Sequence, residues 1–190
     1  LVAPDSFKGS IDAPDFCAIA EQVFGECIPG CEVVGLPMAD GGEGTAEALV
    51  RGTGGQMLTA EVRGPMGEPV QAAYGLLGDG STAVVEMAQA SGLPLVPAAQ
   101  RNPLLAGSYG TGELILAAIA QGARHIILGL GGSATNDGGM GALQALGVRF
   151  HDADGRLVPP LAEALGRIVS VETADADAHL AGVRFTIASD

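Results

Sequence analysis

Apolar residues follow two periods along this chain, and the switches between them mark its elements. Leu1–Ala3 is a short apolar run ahead of the loop Pro4-Asp5-Ser6-Phe7-Lys8-Gly9-Ser10. From Asp12 to Cys27, Phe16, Ile19, Ala20, Val23, Phe24 and Cys27 return at the spacing of one helical face. Ser10 or Asp12 can cap that helix. Pro29-Gly30 stops it, Cys31–Leu36 reads as a second strand, and Pro37–Thr45 opens a short helix to Arg51. This βαβα order predicts parallel sheet.

The middle of the chain changes character. Met57–Arg63, Val70–Leu77 and Ala83–Glu86 read as three short strands, joined by Gly64-Pro65-Met66-Gly67 and Gly78-Asp79-Gly80-Ser81. Turns this tight make neighbouring strands antiparallel, so a meander is expected, either a small separate domain or an extension of the main sheet. A proline-rich passage, Pro94–Pro103, leads away from it. The helical period returns over Thr111–Gln121. A strand His125–Leu128, a glycine-rich loop, a helix to Leu146 and a strand Val148–His151 follow. Ala153–Ala181 has weak periodicity and reads as short helices, and Val183–Ala188 reads as a last strand.

The expected class is therefore α/β: a mostly parallel sheet flanked by helices, Rossmann-like or flavodoxin-like, with a β-rich meander. Residues 1–54 and 111–190 would form the α/β domain, incomplete at both ends, and residues 55–110 the meander. Leu1-Val2-Ala3 reads as the tail of a strand begun earlier. Asp190 stands just past a strand end, where an α/β enzyme places functional side chains.

Charge narrows the partners. The formal net charge of −13 disfavours nucleic acid and anionic membrane surfaces, so any bound phosphate must be held locally. Lys8 is the one lysine among the 190 residues. Cys17, Cys27 and Cys31 form no CxxC pair and read as indifferent thiols. With no apolar run of membrane length and no signal-peptide pattern at the start, the cytoplasm is the expected location.

Four loops carry candidate chemistry. Asp5, Ser6, Lys8 and Ser10 stand between a strand and a helix, where they could clamp a phosphate or substrate or merely cap a turn. Asp40-Gly41-Gly42-Glu43-Gly44-Thr45 offers two acids among three glycines, which suits a hydrated Mg²⁺ or a general base; a capping box is the plainer reading. Gly107–Leu114 opens a helix with Thr111 as cap or anion contact. Gly129–Gly139 holds five glycines with Ser133, Thr135, Asn136 and Asp137, more polar chemistry than a structural turn requires. Within it Gly129, Gly131 and Ala134 fit the dinucleotide fingerprint, with Asp152 near the usual acidic position. That would make an NAD(P)-dependent oxidoreductase, although Thr135–Gly139 delays the helix such a site needs. Glu86, ending an apolar strand, is either a site acid or a satisfied buried carboxylate.

In order, APDSFKGS, ADGGEGT, SYGTGEL and GLGGSATNDGGMGALQALG resemble the bacterial glycerate kinases, and RGPMGEPV, VVEMAQASGL and RNPL extend the likeness over nearly the whole chain. The resemblance implies a two-domain α/β enzyme that uses ATP and Mg²⁺ to phosphorylate D-glycerate, commonly at the 2-hydroxyl, and a chain that continues beyond Asp190. It implies catalytic roles for Lys8, Asp40 and Asp190, with Asp137 and Asp190 as metal ligands. Substrate or nucleotide would be bound by Asp5, Ser6, Ser10, Gly41, Gly42, Glu43, Thr111, Gly131, Gly132, Ser133 and Asn136. The rival readings are the oxidoreductase and a non-catalytic nucleotide- or organic-acid-binding module.

Overall fold

A computed structural model describes residues 1–7 and 10–189. Its first helix, α1 (Ala13–Cys27), starts where the sequence asks: Asp12 caps it by accepting the Asp15 N–H at 2.8 Å. A second helix, α2 (Thr45–Thr53), follows the glycine-rich loop. The meander consists of β1 (Gln56–Arg63), β2 (Pro69–Leu76) and β3 (Thr82–Glu86). Its second turn is set by Asp79, which accepts the Ser81 and Thr82 N–H groups and the Thr82 hydroxyl; these bonds draw its carboxyl down to about 2.

After the meander come α3 (Ala88–Ser91), α4 (Tyr109–Ala120), β4 (His125–Gly129), α5 (Met140–Ala145) and β5 (Arg149–His151). The chain then forms β6 (Ser170–Glu172), α6 (Ala174–His179) and β7 (Arg184–Ala188). Five strands make one mixed sheet in the order β1-β2-β3-β4-β7. The β1/β2 and β2/β3 pairs are antiparallel, while β3/β4 and β4/β7 are parallel. The meander is thus hydrogen-bonded directly into the sheet that carries β4 and β7. The class is α/β, with the parallel strands ending on the side where the glycine loops gather.

Helix α4 covers one face of the sheet. Leu114 and Ile115 pack with Val62, Tyr74, Val85 and Ile126 in the main core. Fully burying one such aliphatic side chain contributes roughly 2–3 kcal/mol. A second cluster, Met140, Val148, Phe150 and Val158, lies under the two-stranded ladder of β5 and β6.

Two expectations require correction. The predicted strands at Leu1–Ala3 and Cys31–Leu36 meet only as a parallel bridge, Val2 to Gly35. Val2 N–H donates to the Val34 carbonyl, Leu36 N–H to the Val2 carbonyl and Met38 N–H to the Pro4 carbonyl, while Pro4 has no N–H to return a bond to the opposite strand. The predicted apolar face of α1 is also largely uncovered. Ala13 and Cys17 are buried, whereas Ile19 is 53 % exposed and Val23 and Phe24 lie open. Between residues 153 and 181 the strand β6 appears beside the expected short helices, since three residues are too few to show a period.

Candidate active site

A cavity of about 1010 Å³ lies where three glycine-bearing loops meet. Asp5, Ser6 and Ser10 line it from the first loop, Asp40, Gly42 and Glu43 from the second, and Gly131, Gly132 and Ser133 from the third. Ser189, just past β7, completes this rim. The sequence singled out these loops separately, and the fold brings them together.

Main chain packs on main chain at the junction. Gly131 N–H donates to the Gly41 carbonyl at 3.3 Å, and Leu130 N–H to the Ala188 carbonyl at 3.3 Å. Gly41 has φ +94°, and a Cβ there would lie 2.5 Å from the Ala188 oxygen. A Cβ on Gly129 would strike the Gly41 carbonyl, and one on Gly131 would lie 2.7 Å from the Gly42 Cα. These glycines are needed for close approach as much as for turning.

The second loop is braced from within. Thr45 Oγ1 accepts the Gly41 N–H at 3.1 Å and donates to the Gly42 carbonyl at 2.8 Å, and Asp40 Oδ1 accepts the Gly42 N–H at 2.9 Å. Behind it stands Glu86, at the end of β3 and 3 % exposed, whose Oε1 accepts the Ala46 N–H at 2.7 Å. Burial raises the Glu86 carboxyl above its ordinary range; the Ala46, Gln89 and Gly44 donors pull it back, and the Glu43 charge adds to the rise. Gln89 also lines the cavity and was not among the sequence candidates. Its only sequence signal is its place three residues after a strand-ending acid.

Other candidates lie elsewhere. Asn136 is exposed and outside the lining. Thr111 is buried, sharing a 2.8 Å hydrogen bond with Ser91 Oγ behind the cavity wall. Asp137, the expected metal ligand, is 1 % exposed. Its Oδ2 accepts the Ser108 N–H and hydroxyl, both at 2.8 Å, and the Gly141 N–H at 3.1 Å; its Oδ1 accepts the Gly139 N–H at 3.0 Å. Both oxygens are therefore engaged, and the side chain brackets two loops. Lys8 and Asp190 lie outside the described residues.

The described lining holds six carboxylates, from Asp5, Asp12, Asp40, Glu43, Glu47 and Glu86, and no lysine or arginine. Among the described residues no three His, Cys, Asp or Glu side chains gather as a ready metal cage. Among the described lining residues, backbone N–H groups and hydroxyls are the donors an anion would meet.

The dinucleotide fingerprint fails on geometry. Helix α5 starts at Met140, six residues past Ala134, so no helix N-terminus stands where the pyrophosphate would sit. The next strand, β5, pairs antiparallel with β6 and does not enter the main sheet. Asp152 is occupied in a turn, accepting the Arg156 and Asp154 N–H groups and meeting Arg167 at 3.0 Å.

An α/β fold whose glycine loops converge past its parallel strand ends places a cavity where such folds bind small molecules. The sequence model of the glycerate kinase family matches residues 1–190, and the chain belongs to that family. It is 48 % identical over its whole length to the glycerate kinase of Bacillus subtilis (strain 168) and 46 % to the glycerate 2-kinase of Escherichia coli (strain K12). A crystal structure assigned to a glycerate kinase 2 of Salmonella typhimurium LT2 superposes with a TM-score of 0.89 at 48 % identity. The alignment covers 100 % of this chain and 50 % of that one. The chain likewise spans about half the length of the two curated relatives.

Proposed function

We propose that the complete protein is a cytoplasmic, ATP-dependent glycerate kinase that transfers the γ-phosphoryl group to a hydroxyl of D-glycerate, with the 2-hydroxyl favoured. The observation that carries this reading is the convergence of three family-type loops on one acidic cavity. Phosphoryl transfer demands in-line positioning and neutralised charge more than covalent help from the protein. Backbone N–H groups of the Gly131–Gly139 loop, at Gly132 and Ser133 along the cavity, would hold phosphate oxygens, with Ser133 adding a hydroxyl. Lys8 would steady phosphoryl oxygens or the glycerate carboxylate.

Mg²⁺ suits this donor set. It is commonly held by one or two carboxylates together with substrate phosphates, and the described lining offers several carboxylates, among them Asp40, with one oxygen free of the Gly42 bond. Asp40 and Asp190 would hold it, and when bound it supplies charge neutralisation between the phosphates. Asp137 would serve by keeping the third loop in place.

The test uses the complete gene product with ATP, Mg²⁺ and D-glycerate, following ADP release and reading the product by phosphorus NMR. The expected product is 2-phosphoglycerate, and Asp40→Asn should lower kcat by at least about a hundredfold. A 3-phosphoglycerate signal would keep the kinase and change the acceptor. No ADP above a control without glycerate would overturn the assignment. Glycerate or ATP affinity without turnover would mark a binding module.

A further inference from the structure

Helix α2 begins without a cap of its own. Its N-cap residue is Gly44, in the left-handed region at φ 91°, and no side chain from the loop bonds the exposed N–H groups there. The missing acceptor comes from forty residues further along the chain. Glu86 Oε1 takes the Ala46 N–H at 2.7 Å. Glu86 is fixed in turn by β3, whose parallel register pairs it with Gly129, the first glycine of the third loop. A carboxylate facing a helix N-terminus is favourably placed with respect to the helix dipole. One side chain thus ties the second loop to the strand pair from which the third loop departs.

The second loop also meets the third through the Gly131 N–H to Gly41 carbonyl bond, a main-chain contact at its other end. Asp40 and Glu43 are exposed, and the Thr45 bonds close the loop on itself without fixing it to the sheet. Glu86 is the side-chain link between α2's first turn and the strand ends, and Asp40 and Glu43 ride on that turn.

We propose that Glu86 is a positioning residue that acts through its hydrogen bond to Ala46, holding the Asp40–Thr45 loop in register with the Gly129–Gly139 loop. The kinetic part of this proposal rests on the glycerate kinase reading; the structural part does not. The role requires an acceptor oxygen at a fixed reach and does not require a negative charge. Glu86→Gln keeps the reach and loses the charge, whereas Glu86→Asp keeps the charge and withdraws the oxygen by about 1.5 Å, one C–C bond.

The experiment compares wild type, E86Q and E86D in the complete protein, with E86A as the full deletion. Amide exchange of Ala46, measured without substrate, should quicken about tenfold or more in E86D and E86A and stay near wild type in E86Q. With ATP, Mg²⁺ and D-glycerate, KM for glycerate should rise about tenfold in E86D and be rescued to within about threefold by E86Q. Partial unfolding removes active molecules and leaves the KM of the remainder alone, so it would not give that result. Unchanged Ala46 exchange in E86D would overturn the proposal. So would the reverse order, with E86D active and E86Q dead, which would mark Glu86 as a charge or base. A wild type with no glycerate-dependent turnover would sink the kinase reading, and the exchange measurement would still decide the anchor.

Discussion

The meander and the N-terminal unit begin from similar apolar patterning and end with opposite coverage. Strands β1 and β2 pair over eight residues, and their inner face is closed by α4, so Val62, Ala72 and Tyr74 are buried. The N-terminal unit pairs through three backbone hydrogen bonds, and α1 keeps Ile19, Val23 and Phe24 open to solvent. A periodic apolar face states that a segment is able to pack. How much area it buries depends on the surface it meets, which the helix's own pattern does not state.

That contrast is open to direct test in this chain. Leu114→Ala, at the centre of the covered region, should cost up to about 5 kcal/mol in urea unfolding, and a loss below about 1 kcal/mol would remove α4 as the main cover. Asp137→Ala probes a buried polar junction. It strips an acceptor from the Ser108, Gly139 and Gly141 N–H groups, and about 2–3 kcal/mol is expected by the same assay. A loss no larger than that of a surface change would show that water replaces the carboxylate and that the bracket is dispensable. Ile19→Ala, on the open face, should change unfolding by no more than about 0.5 kcal/mol. A loss approaching that of Leu114→Ala would show that α1 is covered in solution.

Local chemistry was legible in the sequence wherever it was short-range. The turns at Gly64–Gly67 and Gly78–Ser81, the Asp12 cap and the strands around them follow from residues within a few positions of one another. The three cavity loops were legible as loops, because glycine clusters between strand and helix have few other uses. Side-chain direction inside those loops was not. Asn136 and Asp137 belong to the same loop as Ser133 and Gly131, yet Asp137 turns inward and Asn136 turns to solvent. A glycine-rich loop has no period from which to read a facing. Glu86 shows the same limit from the other side, since its role depends on a contact forty residues away that no local pattern encodes.

The Gly41, Gly129 and Gly131 junction has a thermodynamic consequence. Gly42, Gly131 and Gly132 line part of the cavity with backbone, braced from behind by Gly41 and Gly129, and that part has no rotamers to immobilise when a ligand arrives. Side chains at a binding surface lose about 0.5–1.5 kcal/mol each on being frozen, and this part forgoes that loss. Affinity at that wall should therefore carry an unusually small conformational-entropy penalty. Side chains on the rim, such as Ser133 and Glu43, can be exchanged to alter ligand preference without disturbing the surface beneath.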